Sequence, residues 1–332
     1  MTAATTQPAH PLTNAIPMQD ARTAPPAAPP LFRFPSLTTT VPKEFVHRAA
    51  VAEVMLTDWK REDDTHFRVA AQWPRGHSFF SPIGAHHDPL LAAETIRQVG
   101  SLLAHAEFDV PFGHQFLMWE LQFAVEPDRV LIGEAPAALD IHVTCTEVKR
   151  RGSALAALRY EAVIHRDGQP AVHGSGAYTC TTPAVYRRLR GNRCTPRSPS
   201  LLPLTAPASP QSVGRMSPTD VVLSPTGRAN CWQLRADTRH HVLFDHPVDH
   251  VPGMVLLEAA RQAAAAALDN SAMLPTAIAS EFHRYVELDA ACIIEAQPLP
   301  AAAAGEQSVL VTGHQDGNAV FTSKVTALPP QR

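Results

Sequence analysis

Along residues 66–73, HFRVAAQW, apolar side chains recur at alternate positions, the period of a strand with one buried face. A turn-rich loop with Pro82, Gly84 and Pro89 follows, and PLLAAETIRQVGSLLAHAE (89–107) then reads as one long helix. Period-2 or β-rich runs return beyond it: FLMWELQFAV (116–125), VLIGEA (130–135), LDIHVTCTEV (139–148), ALAALRYEAVIH (154–165) and AVHGSGAYTCTT (171–182). Between the last two, HRDGQP places Asp167-Gly168 where a hairpin turn requires it.

The same layout comes round again with a shorter tail. A strand region at 230–236 precedes a loop at 240–252 and a helix at 253–269. Strands are expected near 280–288, 291–297, 307–314 and 319–327, with a second Asp-Gly turn at Asp316-Gly317. A gap-free shift of 164 residues lays His77, Phe80, His86, Glu94, Arg97 and Gln98 on His241, Phe244, His250, Glu258, Arg261 and Gln262. Most of these matches are polar, which chance matching of apolar runs does not produce. One long helix followed by antiparallel strands, twice, predicts an α+β fold in which each sheet wraps a helix.

Composition divides the chain further. Residues 1–43, rich in Pro, Ala and Thr, read as a mostly disordered extension. Residues 184–217 carry prolines that remove backbone donors and read as an interdomain linker. The units are then 44–183 and 218–328. The net charge of −3 with scattered Lys and Arg gives no basic face for nucleic acid or lipid, and YRRLRGNR (186–193) reads as a solvated loop. Five widely spaced cysteines, no signal-peptide pattern and no long apolar run suit a reducing cytoplasm rather than secretion or a membrane. No H-E-x-x-H or comparable spacing supports a metal site, despite the paired histidines at 86–87 and 240–241. HGSGAY (173–178) lacks the strand–loop–helix context of a phosphate loop. Trp73, Phe79, Phe80, Phe116 and Trp119 suit either a core or an acyl tunnel.

The chemistry concentrates on the helices. Glu258, Arg261 and Gln262 share one face, as do Glu94, Arg97 and Gln98. A solvated i,i+3 ion pair explains one such set but not its recurrence with the same upstream histidines. A carboxylate in an apolar setting has its pKa raised toward working pH. The neighbouring Arg opposes that shift or is committed to a substrate phosphate or carboxylate. The set fits proton transfer on an acyl substrate with an anionic group bound nearby. The histidines can supply a second acid/base or a donor to a thioester oxygen.

PGMVLLEAARQAA (252–264) resembles the central-helix motif of hot-dog-fold dehydratases. Together with HDPLLAAETIRQVG, FDHPVDHVPGMVLLEAARQA and VHRAAVAEVMLTD (46–58), it resembles the A-factor biosynthesis (AfsA-type) family over about residues 44–328. That resemblance implies a tandem double hot-dog and an acyltransferase. Its substrates are a β-ketoacyl thioester, usually on acyl carrier protein, and dihydroxyacetone phosphate, with no cofactor. The product leads to γ-butyrolactone or butenolide signals. It implies Glu94, Glu258 and Arg261 as catalytic residues. Arg97, Gln98, Gln262, His77, His86, His241 and His250 are then substrate-binding residues. The dehydratase histidine, fourteen residues before the helix Glu, is replaced by Phe80 and Phe244, with His246 only twelve before Glu258; this speaks against dehydration. A dehydratase or thioesterase, and a non-catalytic acyl- or lactone-binding module, are the alternatives. Two fused hot-dogs suit a monomer or a homodimer.

Overall fold

A computed structural model of the chain describes residues 38–194, 201–300 and 306–328. Most of the extension expected over 1–43, and residues 195–200 of the expected linker, lie outside them. The alternating runs form strands. In the first half these are β1 (Leu56–Arg61), β2 (His66–Trp73), β3 (Gln115–Val125), β4 (Ala137–Arg151), β5 (Ala154–Arg166) and β6 (Gln169–Thr181). In the second half they are β7 (Leu223–Pro225), β8 (Cys231–Leu234), β9 (Pro275–Phe282), β10 (Cys292–Pro298), β11 (Gln307–Gln315) and β12 (Asn318–Ala327). Helix α1 spans Leu90–Ala106, α2 Pro183–Arg190 and α3 Gly253–Ala267. Both Asp-Gly pairs turn their hairpins with positive φ at each residue (51° and 73° at 167–168, 51° and 75° at 316–317), matching the twist of the flanking strands.

Several expectations are corrected. VLIGEA is not a strand: Leu131 forms only an isolated bridge to His86, and Gly133 and Pro136 interrupt any longer ladder. The strand expected over 280–288 runs earlier, at Pro275–Phe282, where small alanines obscure its period. Residues 184–190 of the expected linker are helical, because Pro183 opens the helix at its first turn and the Thr182 side chain accepts a hydrogen bond from the Val185 amide. Nor is YRRLRGNR wholly solvated: the buried Arg190 donates to Asp249 and Glu287. At the other end of the expected linker Val213 and Arg215 are buried.

All twelve strands join one antiparallel sheet in the order β1-β2-β4-β5-β6-β3-β9-β12-β11-β10-β8-β7. The centre is the pairing of β3 with β9, Glu120 opposite Glu281 through Ala124 opposite Ala277. Outward from this seam the two halves are equivalent strand for strand, β6 with β12, β5 with β11 and so on to the edges. That is the self-complementary arrangement of a twofold dimer, here within one chain. Helix α1 packs against β3, β5 and β6, α3 against β10, β11 and β12, and the helices touch each other.

Both central helices are apolar on nearly every side, so both are buried. In α1 only Arg97 and Ala106 escape full burial. The glycines of HGSGAY explain how α1 lies so close to the sheet. A Cβ on Gly174 would strike Ile96, and one on Gly176 would fall 2.7 Å from the Tyr160 ring. Tyr160 and Tyr178 then donate hydrogen bonds to the Ile96 and Gly100 carbonyls, each at 2.7 Å. The polar residues carried into this interior must find partners, since an unpaired buried charge is costly.

Candidate active site

Glu94 and Glu258 find theirs in matching clasps. Arg97 donates from Nε and Nη2 to the Glu94 carboxylate (3.0 and 2.7 Å), and Arg48 donates from Nε and Nη2 (3.0 and 2.7 Å). In the second half Arg261 (3.0 and 2.6 Å) and Arg215 (2.8 and 2.6 Å) hold Glu258 in the same way. Both carboxylates are inaccessible to solvent. Burial alone would raise their pKa values, but the flanking guanidinium charges and their hydrogen bonds outweigh it and hold each near 2. The expectation of a carboxyl poised near working pH is therefore reversed, because each glutamate meets two arginines rather than one.

The glutamines complete the clasps. Gln98 donates to Glu94 and to the Glu53 carbonyl (2.7 Å each) and accepts from the Met55 amide at 2.9 Å. Gln262 donates to Glu258 and to the Asp220 carbonyl, and accepts from the Val222 amide. Both are buried and committed within the protein.

Each second arginine also crosses to the other half. Arg48 Nη1 donates to the Val242 carbonyl (3.3 Å) and Arg215 Nη1 to the Phe79 carbonyl (2.7 Å). Each clasp gains a carboxylate from the opposite loop. Asp245 contributes to the field on Arg97, and Asp88 lies 3.9 Å from Arg215. Each clasp thus sets two arginines against two carboxyl groups, of which Asp88 has its pKa raised by burial. These contacts also correct the uniform shift of 164. The arms Val46-His47-Arg48 and Val213-Gly214-Arg215 correspond at 167, and the loops at 163. His77 accepts from the Phe79 and Phe80 amides, as His240 does from the Val242 and Leu243 amides; the counterpart of His77 is therefore His240, not His241.

The halves differ where substrate can enter. A cavity of about 800 Å³ is lined by Arg48 and Arg97, by the loop Asp245-His246, and by Gly253 and Met254 at the start of α3. Phe116, Met118, Leu243 and Phe244 contribute apolar wall. Arg97 is the most exposed member of either clasp, with 20% of its side chain accessible against 3% for Arg261. Its Nη1 has no hydrogen-bond partner among the described residues. The first amides of α3 have no intrahelical acceptor and carry the positive end of the helix dipole. The second clasp does not line this cavity. His47 lies in the left-handed region (φ 52°) and lines it, whereas its counterpart Gly214 (φ 70°) faces the Ser271 carbonyl oxygen, 2.6 Å from where a Cβ would stand.

Of the residues expected to act on substrate, the structure brings Arg97 and His250 to the cavity. Glu94 lies one side chain behind, holding both arginines; Glu258, Arg261 and Gln262 belong to the closed clasp. The His77 side chain is 6% exposed, with Nε2 3.4 Å from Glu53 Oε2. His86 pairs through its backbone with Ile83 and Leu131, and His241 reaches Ser78 Oγ at 3.3 Å. His77, His86 and His241 do not line the cavity. Sequence reasoning missed Arg48, Arg215, His47 and Asp245. The arginines' signal, Val-His-Arg and Val-Gly-Arg each upstream of a clasped helix, was hidden by the three-residue difference in offset. Trp73, Phe79 and Phe80 are core residues, whereas Phe116 and Trp119 line the cavity. Among the described residues no helix is long and apolar enough to cross a membrane.

Residues 33–182 and 197–329 match the family model described as the A-factor biosynthesis hotdog domain. The chain is 56% identical over 286 residues to the 2-oxo-3-(phosphooxy)propyl 3-oxoalkanoate synthase of Streptomyces virginiae, covering 86% of this chain and 97% of that one. It is 40% identical to the synthase of the same name from Streptomyces coelicolor, covering 86% and 91%. Among solved structures, a putative thioesterase from Novosphingobium aromaticivorans covers 82% of this chain and 98% of its own, at 13% identity and a TM-score of 0.46.

Proposed function

The chain belongs to the A-factor biosynthesis hotdog family, and from that premise we propose that it is an acyltransferase joining a 3-oxoacyl thioester to dihydroxyacetone phosphate. The product is a 2-oxo-3-(phosphooxy)propyl 3-oxoalkanoate, the first intermediate toward a γ-butyrolactone or butenolide signal. The observation that carries this reading is the cavity where an uncommitted arginine nitrogen, an apolar wall and the first amides of α3 meet.

Each feature answers one demand of the reaction. Arg97 Nη1 offers donors to the triose phosphate, while the other nitrogens of Arg97 stay anchored on Glu94. The anchoring matters because an arginine held in place loses less entropy on binding. Phe116, Met118, Leu243 and Phe244 accept the acyl chain. The Gly253 and Met254 amides polarise the thioester carbonyl and stabilise the oxyanion that forms on attack. Glu94 acts as an ionised anchor for the arginines. Glu258, Arg261 and Arg215 form its closed counterpart, so the first clasp, completed by the loop of the second half, is the working copy. The acyl group arrives on a carrier protein, and the two fused halves supply the paired unit without a second chain.

The test is to incubate purified protein with a 3-oxoacyl-carrier protein and dihydroxyacetone phosphate and to follow products by mass spectrometry. The phosphorylated ester, or the butenolide it cyclises to, is the expected result. Free 3-oxo acid alone would make the protein a thioesterase. No turnover with tight binding of a finished lactone would make it a binding module.

A further inference from the structure

We propose that His246, positioned by Asp245, is the base that takes the proton from the attacking triose hydroxyl. The inference deepens the acyl-transfer reading and rests on it. Asp245 is a fixed anion: its side chain is 1% exposed, and its two carboxylate oxygens accept the Ala49 and Ala50 amides of the other half at 2.6 and 3.0 Å. Burial works against its charge, but these backbone donors and His246 hold its pKa below the usual carboxylate range. Nδ1 of His246 lies 3.2 Å from Asp245 Oδ2. An ionised carboxylate only accepts, so Nδ1 carries the proton and the lone pair is on Nε2. Nε2 has no hydrogen-bond partner among the described residues, and the side chain, 43% exposed, lines the same cavity as Arg97.

Three other titratable groups at or behind the cavity, Glu94, His47 and His250, are less suited to the task. Glu94 is saturated by donors and ionised with a pKa near 2. His47 is bound by a tautomer chain. His105 Nδ1 donates to the Val110 carbonyl at 2.6 Å, so its Nε2 must accept from His47 Nε2 at 2.7 Å. Burial and the neighbouring Arg97 charge lower His47 to about 3, which disfavours its protonated form at neutral pH by roughly four orders of magnitude. His250 has its own partner, Asp249, but that carboxylate is already committed to Arg190 and Tyr186. Asp245 on its own loop contacts the His246 ring and His47 from the preceding arm feels its charge, while Arg48, Arg97, Arg190, Arg193, His250, His283, Arg284, Glu287 and Asp316 line the same cavity.

The step balances without a further reagent. Nε2 accepts the hydroxyl proton as that oxygen bonds to the thioester carbonyl carbon. The oxyanion collapses, the carbon–sulfur bond breaks, and the imidazolium returns the proton to the departing thiolate. Asp245 does not touch substrate; it fixes the ring and faces the imidazolium while it exists.

The experiment compares wild type, His246→Gln, His246→Ala and Asp245→Asn in the product assay at saturating carrier thioester, varying dihydroxyacetone phosphate. His246→Gln is expected to lower kcat at least 100-fold with KM for the triose within threefold. Added imidazole is expected to restore part of the His246→Ala rate, and Asp245→Asn to act on kcat rather than KM. A His246→Gln enzyme that keeps a third of wild-type kcat overturns the proposal, as does a loss confined to KM. Because the ring is half exposed, an unchanged melting temperature for His246→Gln checks that the loss is chemical. Wild type yielding no ester would instead fail the acyl-transfer reading itself.

Discussion

Replacing Glu258 by Gln separates an anchoring carboxylate from a reacting one. In the wild type Glu258 has no solvent exposure and receives Arg215 and Arg261 through four guanidinium hydrogen bonds of 2.6–3.0 Å, plus one from Gln262. Glutamine keeps the shape but removes the charge, and it turns a donor amide toward arginines that can only donate. The clasp then holds two guanidinium cations against Asp88 alone. Removing one partner of a buried ion pair costs about 3–5 kcal/mol, because the remaining charge is left uncompensated. The titration behaviour leads to the same scale: a carboxyl held near 2 rather than 4.5 contributes about 3 kcal/mol at neutral pH. At roughly 2 °C per kcal/mol for a unit of this size, the melting temperature should fall by about 6–10 °C. Thermal melts and urea unfolding at pH 7 measure this directly. Adding Arg215→Gln should cost less than the sum of the single changes, since it removes the stranded charge. A Glu258→Gln protein that melts within 2 °C of wild type but has lost turnover would refute the anchoring role and restore a chemical one.

Acid should act through both clasps. A depressed carboxyl pKa contributes stability fully above its unfolded value of 4.5 and loses it as pH falls toward 2, at about 3 kcal/mol for each glutamate. The urea midpoint should therefore drop steeply over that window, and less steeply in Glu258→Gln. Asp88 opposes the trend, because burial raises its pKa and protonation relieves it. Arg97→Gln should raise KM for dihydroxyacetone phosphate by about 10–100-fold through the lost charge-assisted bond. Arg261→Gln should instead lower the melting temperature, and equal KM effects from both would contradict the assignment of the open clasp. Gly214→Ala should destabilise by more than about 1 kcal/mol, since it combines a left-handed φ of 70° with a Cβ 2.6 Å from the Ser271 carbonyl oxygen. A urea midpoint unchanged in that variant would count against the close approach.

The duplication, the two buried helices and most strands were legible from residues 44–328, because periodicity and local turn chemistry dictate them without reference to distant contacts. HFRVAAQW, the Asp-Gly hairpins and the helix beginning at Gly253 needed nothing beyond their own neighbourhood. The pairing of each Glu with Arg at i+3 was legible for the same reason. Its electrostatics were not, because the deciding charges come from Arg48 and Arg215, both more than forty residues away in sequence. One arginine leaves a buried carboxyl's pKa open to either direction; two force it down. The identity of the open copy was equally a tertiary matter. Two nearly identical motifs diverge because chain closes on Gly214, whereas His47 and the Asp245–His246 loop stand open on a cavity. Local pattern determined the repeat and its helices; folding decided which repeat meets substrate, because accessibility depends on what the rest of the chain leaves uncovered.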